Sequence, residues 1–218
     1  MKTVGIGSLP HRSVLNAVNY SLKHDLPFLP QMTSLGERMI PQVLANIEMT
    51  EKYQALTLFT EKLLEKKVST FKIQLAGPET CNVENKIIMR EINSFLNYFD
   101  QFNLRPIIFI DEPIITLKTE QLKNIFSELT NLQIISGLHS CAKFNWDKVE
   151  NMNFDFLSFD AQITIPMKQT KKNLITGIPP FSKEKFQVNG TWISSSCGLA
   201  RYSEDDCEKI LLELNNYK

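Results

Sequence analysis

Pro106-Ile107-Ile108-Phe109-Ile110-Asp111-Glu112-Pro113 is the stretch on which the fold turns. Its four large apolar residues in succession, bounded by prolines, read as a short buried strand. The strand runs out in a carboxylate, Asp111. Comparable runs lie on either side. Residues 70–76 are closed by Gly77-Pro78, and residues 133–138 lead into His139-Ser140-Cys141. Residues 156–160, 174–178 and 191–196 follow, the middle one stopped by Pro179-Pro180. Upstream, residues 4–10 form a short strand and 28–31 a weaker one.

Helical patterns separate these runs. Ser13 is placed to cap a helix with Val14, Leu15, Val18 and Leu22 on its apolar face. Residues 36–67 read as helical with a break near Glu51. Further helices are expected over 84–102, over 119–129 with Thr119 as cap, and over 146–152. Ser203 opens the last, with Asp206 three residues on, as in a capping box, and more acid in the first turn. Alternating β and α units predict a parallel sheet. Eight of them predict an α/β fold of the TIM (β/α)8 barrel class. The 218 residues lie at the short end of that fold's range of about 200 to 400. Helices are missing after Asp160 and between Pro180 and Thr191, so an incomplete barrel or an open doubly wound sheet is the alternative. One domain over residues 1–218 is expected.

Charge and cysteine content narrow the function. Lys+Arg and Asp+Glu each number 24, which argues against a nucleic-acid partner, since that would need a basic excess. No apolar run is long enough for a membrane, and Met1-Lys2 leads straight into a strand rather than a signal peptide. Four cysteines are too few for a disulfide scaffold in a chain this long. A reduced, cytoplasmic setting is expected, where thiols more often bind metal or act in catalysis.

Ser8, Gln31, Asp111, His139, Cys141, Asp160 and Cys197 all fall at or just past the C-terminal end of a predicted strand. In a parallel barrel those ends share one rim, where active sites are built. His139 and Cys141 stand two residues apart, on one face of a strand. Cys197 lies in Trp192-Ile193-Ser194-Ser195-Ser196-Cys197-Gly198-Leu199, again at a strand end. Imidazole and thiolate are preferred ligands of Zn²⁺, and a catalytic zinc keeps a position open beyond three protein ligands. Cys81 and Cys207 read as buried apolar filler. His11 and His24 read as surface residues, Trp146 and Trp192 as packing residues. Glu112 reads as an ordinary strand end, and Ser8 fits turn chemistry as well as function.

Six short pieces carry a resemblance. They are Gly7-Ser8-Leu9-Pro10, Leu75-Ala76-Gly77-Pro78-Glu79-Thr80, Ile110-Asp111-Glu112-Pro113, His139-Ser140-Cys141, Ser158-Phe159-Asp160 and Ser196-Cys197-Gly198-Leu199. In this order the chain resembles the C-terminal catalytic barrel of the cobalamin-independent methionine synthases, within the uroporphyrinogen-decarboxylase-like superfamily. The resemblance implies a zinc held by His139, Cys141 and Cys197, with Asp160 where the family has a fourth ligand, Glu. It implies that Asp111 faces the amino group of an amino-acid thiol and that Ser8 helps hold its carboxylate. Gln31 stands near an acidic substrate-side residue of the family. Glu84 replaces an aromatic linked to the folate donor, and the family's N-terminal half has no counterpart. The implied activity is a zinc-dependent S-methyltransferase that activates a small homocysteine-like thiol as a zinc thiolate. The implied methyl donor is a methylcorrinoid or a corrinoid protein. The alternative is a degenerate barrel that binds zinc or a thiol as partner of a corrinoid protein. Porphyrin decarboxylation, the sister activity, should not need the His-Cys-Cys set.

Overall fold

The computed structural model describes residues 1–115, 119–164 and 170–217. Its strands are β1 (Lys2–Thr3), β2 (Ser8–Leu9), β3 (Gln31–Met32), β4 (Thr70–Ala76), β5 (Arg105–Asp111), β6 (Ser136–Ser140), β7 (Phe156–Asp160), β8 (Asn173–Ile178) and β9 (Trp192–Ser195). Seven of them form one parallel sheet in the order β1-β9-β8-β7-β6-β5-β4. The remaining two form a separate parallel pair, with Ser8 opposite Gln31.

The sheet curls into a half-barrel, because segment 26–32 reaches both of its edges. Leu26 N–H donates to Thr3 O at 3.1 Å on the β1 side. On the β4 side, Lys72 N–H donates to Pro27 O at 2.7 Å and Leu29 N–H to Lys72 O at 2.9 Å. The Lys72 ammonium, 1% exposed, spans the gap and donates to Gly5 O at 2.7 Å. Gly5 is required there, since a Cβ would lie 2.1 Å from the Phe28 ring.

Alternation along the strands sorts side chains into two apolar layers. Ile108 and Ile110 of β5 join the main core, while Ile107 and Phe109 join Val4, Leu26 and Ile175 in a second cluster. The helices are α1 (Val14–Ser21), α2 (Met39–Leu44), α3 (Met49–Lys52), α4 (Leu56–Glu65), α5 (Pro78–Cys81), α6 (Asn85–Asp100), α7 (Thr119–Asn131), α8 (Trp146–Glu150) and α9 (Glu204–Asn215). In α7, Leu122, Ile125, Phe126 and Leu129 recur at helical spacing and are buried. Ser13 caps α1, accepting Asn16 N–H at 3.3 Å, and Ser203 with Asp206 forms the capping box of α9. Among the described residues no helix is long and apolar enough to cross a membrane.

Several expectations need correction. Within the strand expected over 4–10, Val4 makes an isolated bridge to Leu26 and Ser8–Leu9 forms β2, with a break where Gly7 takes φ 125. β6 starts at Ser136, not at 133, because Gln133 is left-handed (φ 57) and Ile135 is turned out to 48% exposure. Residues 36–67 split into α2, α3 and α4 with a 3-10 turn before them. Leu15 is 48% exposed, and Ala17, Val18 and Tyr20 form the buried face of α1. Thr119 is the first residue of α7, not its cap. His11 and His24 are buried at 2% and 5% exposure rather than on the surface. Both rings pack on Tyr20, with centroids 5.2 and 5.1 Å away, because α1 lays that face against the barrel edge. Cys81 and Cys207 are buried, as expected. Trp146 packs on Phe144 and Phe159, and Trp192 on Phe156.

Candidate functional site

The C-terminal ends of the strands bring Ser8, Gln31 and Asp111 to one cleft of about 670 Å³. Among the described residues, its lining does not include His139, Cys141, Asp160 or Cys197. The pairing of β2 with β3 sets Ser8 beside Gln31. Gln31 is held from behind by a buried polar chain. Its Nε2 donates to Gln42 Oε1 (2.7 Å), Gln42 Nε2 to Lys52 O (2.9 Å), and Lys52 Nζ pairs with Glu91 Oε2 (2.6 Å). Tyr53 OH completes the chain on Glu91 Oε1 at 2.7 Å.

Asp111 ends β5, opposite His139 of β6. Gln74 Nε2 donates to Asp111 Oδ2 at 2.8 Å, whereas Asp111 Oδ1 and Gln74 Oε1 are buried with no partner. Burial pushes the Asp111 carboxyl up to about 7, with Gln74 pulling the other way, the Cys197 thiolate adding to the rise and Lys72 opposing it. His139 is 1% exposed; its Nδ1 lies 2.9 Å from Ser158 Oγ and its Nε2 has no partner. Burial holds this imidazole down to about 3, so it is neutral and its Nε2 stands open. Three unsatisfied polar groups thus stand on three adjacent strands.

Cys141 follows β6 and Cys197 follows β9, and both are free thiols. The two thiols perturb one another in opposite directions. The neighbouring Cys141, with help from Gly198 N–H and Arg201, holds Cys197 down to about 6 against burial and Asp160. Cys141 is raised in return. The loop after β9 reaches this place by packing on β2. Leu199 N–H donates to Ser8 O at 2.8 Å, and a Cβ on Gly198 would fall 1.8 Å from Ser8 Oγ. Asp160 is 8% exposed; it accepts Gln162 N–H at 2.8 Å and a bond from Ser196. Burial raises its carboxyl.

Glu112 has an architectural role. Its buried carboxylate accepts Glu79 N–H at 2.6 Å and Thr80 N–H at 2.9 Å, capping α5 and fixing the end of β5 to the turn after β4. Carboxylates suit helix N-termini. Gly77 is needed for this approach, since a Cβ would lie 2.3 Å from Glu112 Oε1. That contact joins the Gly77-Pro78-Glu79-Thr80 and Asp111-Glu112-Pro113 pieces in space.

In kind, the residues fit a zinc ion. An open neutral imidazole nitrogen and two free thiols are donors that zinc takes. Among the described residues, however, no group of three or more His, Cys, Asp or Glu stands gathered to hold a metal. Lys72, Gln74 and Ser158 stand at the site without a motif that marks them. The alternation Lys72-Ile73-Gln74 in β4 and Ser158-Phe159-Asp160 in β7 was the available signal. No protein-family model matches the chain, and no curated protein is significantly similar to it. The resemblance to the methionine synthases therefore rests on the six short pieces alone.

Proposed function

We propose that the chain is a short (β/α)8 barrel enzyme, a zinc-dependent S-methyltransferase acting on a small homocysteine-like thiol in a reduced, cytoplasmic setting. The barrel reading is supported by the hydrogen bonds of segment 26–32 to both sheet edges. The observation that carries the function is the pairing of Asp111 with His139 at neighbouring strand ends, where Asp111 Oδ1 and His139 Nε2 are both buried with no partner among the described residues. His139, Cys141 and Cys197 would hold the zinc, with Asp160 beside Cys197 as fourth candidate. Bound zinc would supply the Lewis acid that removes the proton of a coordinated thiol at neutral pH.

The rest falls to the chain's own residues. Asp111 offers its open Oδ1 to the ammonium group of the amino-acid thiol. Ion pairing in this desolvated place is stronger than at the surface. The Ser8 hydroxyl and the Gln31 amide line the same cleft and orient the substrate carboxylate. Fixing the thiol in this way converts methyl transfer into a positioned reaction. Sulfur then forms the new bond to the methyl carbon, and the electron pair of the broken bond leaves with the donor, a methylcorrinoid or corrinoid protein.

Methylcobalamin mixed with homocysteine and the zinc-loaded chain tests this by its colour change. Asp111→Asn should lower kcat/KM for homocysteine by about ten- to a hundredfold, as expected when a buried charged contact is lost. One observation favours a second reading: the candidate ligands do not stand gathered among the described residues. Proton release on thiol binding without methyl transfer would favour that reading, a barrel that binds zinc or thiol without turnover.

A further inference from the structure

The same cleft carries two arginines that the reading above does not use. Arg12 follows β2 and Arg38 precedes α2, and both line the cleft. Two bonds stitch their segments together. Thr33 Oγ1 donates to Leu9 O at 2.8 Å, and Ser34 Oγ donates to His11 O. Arg38 is preorganised: one nitrogen, Nη1, donates to both Thr33 O (2.8 Å) and Glu37 O (2.7 Å). This anchors the planar guanidinium through one corner and leaves its other donors for a ligand.

Neither guanidinium forms an ion pair among the described residues. All six ion pairs among the described residues use lysine. Glu37, next to Arg38, is turned inward at 5% exposure and accepts Met32 N–H and Gln54 N–H, each at 2.7 Å. Glu204 takes Arg12's backbone N–H at 3.0 Å, and the Arg12 charge also helps lower the Glu204 carboxyl without an ion-pair contact. The cleft therefore has a cationic wall facing the Asp111 floor. Its volume of about 670 Å³ suits a drug-sized ligand, well beyond an amino-acid thiol alone.

We propose that Arg12 and Arg38 form an oxyanion subsite that holds a carboxylate or phosphate group of a second, larger ligand in this cleft. Assigning that ligand as the methyl donor rests on the function proposed above; the anion subsite itself does not. An arginine presents paired donors that match either oxyanion, and such charge-assisted bonds are the strong ones.

The test uses the full chain without zinc or thiol, so its outcome is independent of the methyltransferase reading. Glutarate and inorganic phosphate are titrated separately, following binding by calorimetry and the arginine Nε–H signals by NMR. Saturable binding of at least one of them is expected, weakened about tenfold or more in both Arg12→Gln and Arg38→Gln. Lys62→Gln, a surface change, should bind as the unmodified chain does. Equal binding in both arginine variants, or an equal loss in Lys62→Gln, would overturn the subsite. Repeating the titration with saturating homocysteine and with 3-aminopropanethiol, which lacks the carboxylate, identifies the source. Unchanged binding supports a second ligand. Competition by homocysteine but not by the amine would overturn that assignment, giving the subsite to the thiol's own carboxylate.

Discussion

His24 makes the fold acid-labile at a definite place. It sits between the end of α1 and segment 26–32, 5% exposed, with Tyr20 and Phe28 packed edge-on at 5.1 Å each. Its Nδ1 lies 3.3 Å from Tyr20 O. Burial lowers its imidazole from 6.5 to about 4; backbone bonds at Tyr20 and Ser21 and the Asp25 carboxylate oppose this, and Lys72 adds to it. The folded pKa is thus the lower one. Between those two values the unfolded chain takes a proton that the folded chain refuses, so stability is retained above pH 6.5 and falls as pH drops. The full gap corresponds to about 3.4 kcal/mol, of which about 2 kcal/mol is lost by pH 5. Urea unfolding of the unmodified chain and of His24→Gln at pH 7 and pH 5 isolates this contribution. His11, whose imidazole is also lowered by burial, is common to both proteins. The unmodified chain should lose about 2 kcal/mol more than the variant over that interval. Losses equal within about 0.5 kcal/mol would refute a neutral, desolvated His24.

Two further substitutions probe the scaffold behind the site. Gly77→Ala drives a Cβ into a Glu112 carboxylate that two backbone N–H groups hold fast. It should cost about 2 kcal/mol or more in chemical unfolding, and a change under about 0.5 kcal/mol would show that the clamp yields. Glu91→Leu leaves Lys52 charged and unpaired at 4% side-chain exposure, and should cost about 3 to 5 kcal/mol. Adding Lys52→Met should recover much of that loss, and a strictly additive double variant would contradict a coupled pair.

Legibility in the sequence followed how local each determinant is. β4 and β7 are read with their observed bounds, since each is an apolar run with an abrupt stop. β1, β2 and β3 are two residues each and exist through pairing with distant strands, which no local pattern reports. Ile134 and Ile135 are apolar, yet they precede the strand because α7 must first end in a left-handed residue, Gln133. His11 and His24 lie in polar surroundings in sequence, and their burial comes from Tyr20, four to nine residues away, and from helix packing. At the rim, Ser8, Gln31 and Asp111 share one cleft as strand-end placement suggests. Glu112 reads as a plain strand end, because its partners Glu79 and Thr80 lie more than thirty residues upstream. Arg12 and Arg38 carry no motif, and their shared wall follows from the Thr33 and Ser34 bonds.

We propose that His139, Cys141 and Cys197 hold one zinc ion at this rim. Zinc content with zinc-edge X-ray absorption, on the chain expressed with zinc present, addresses it directly. About one zinc per chain is predicted, with two sulfur ligands near 2.3 Å and a nitrogen near 2.0–2.1 Å, lost in Cys141→Ser and in Cys197→Ser. A zinc-free unmodified chain, or stoichiometric zinc that persists in both variants, would contradict it.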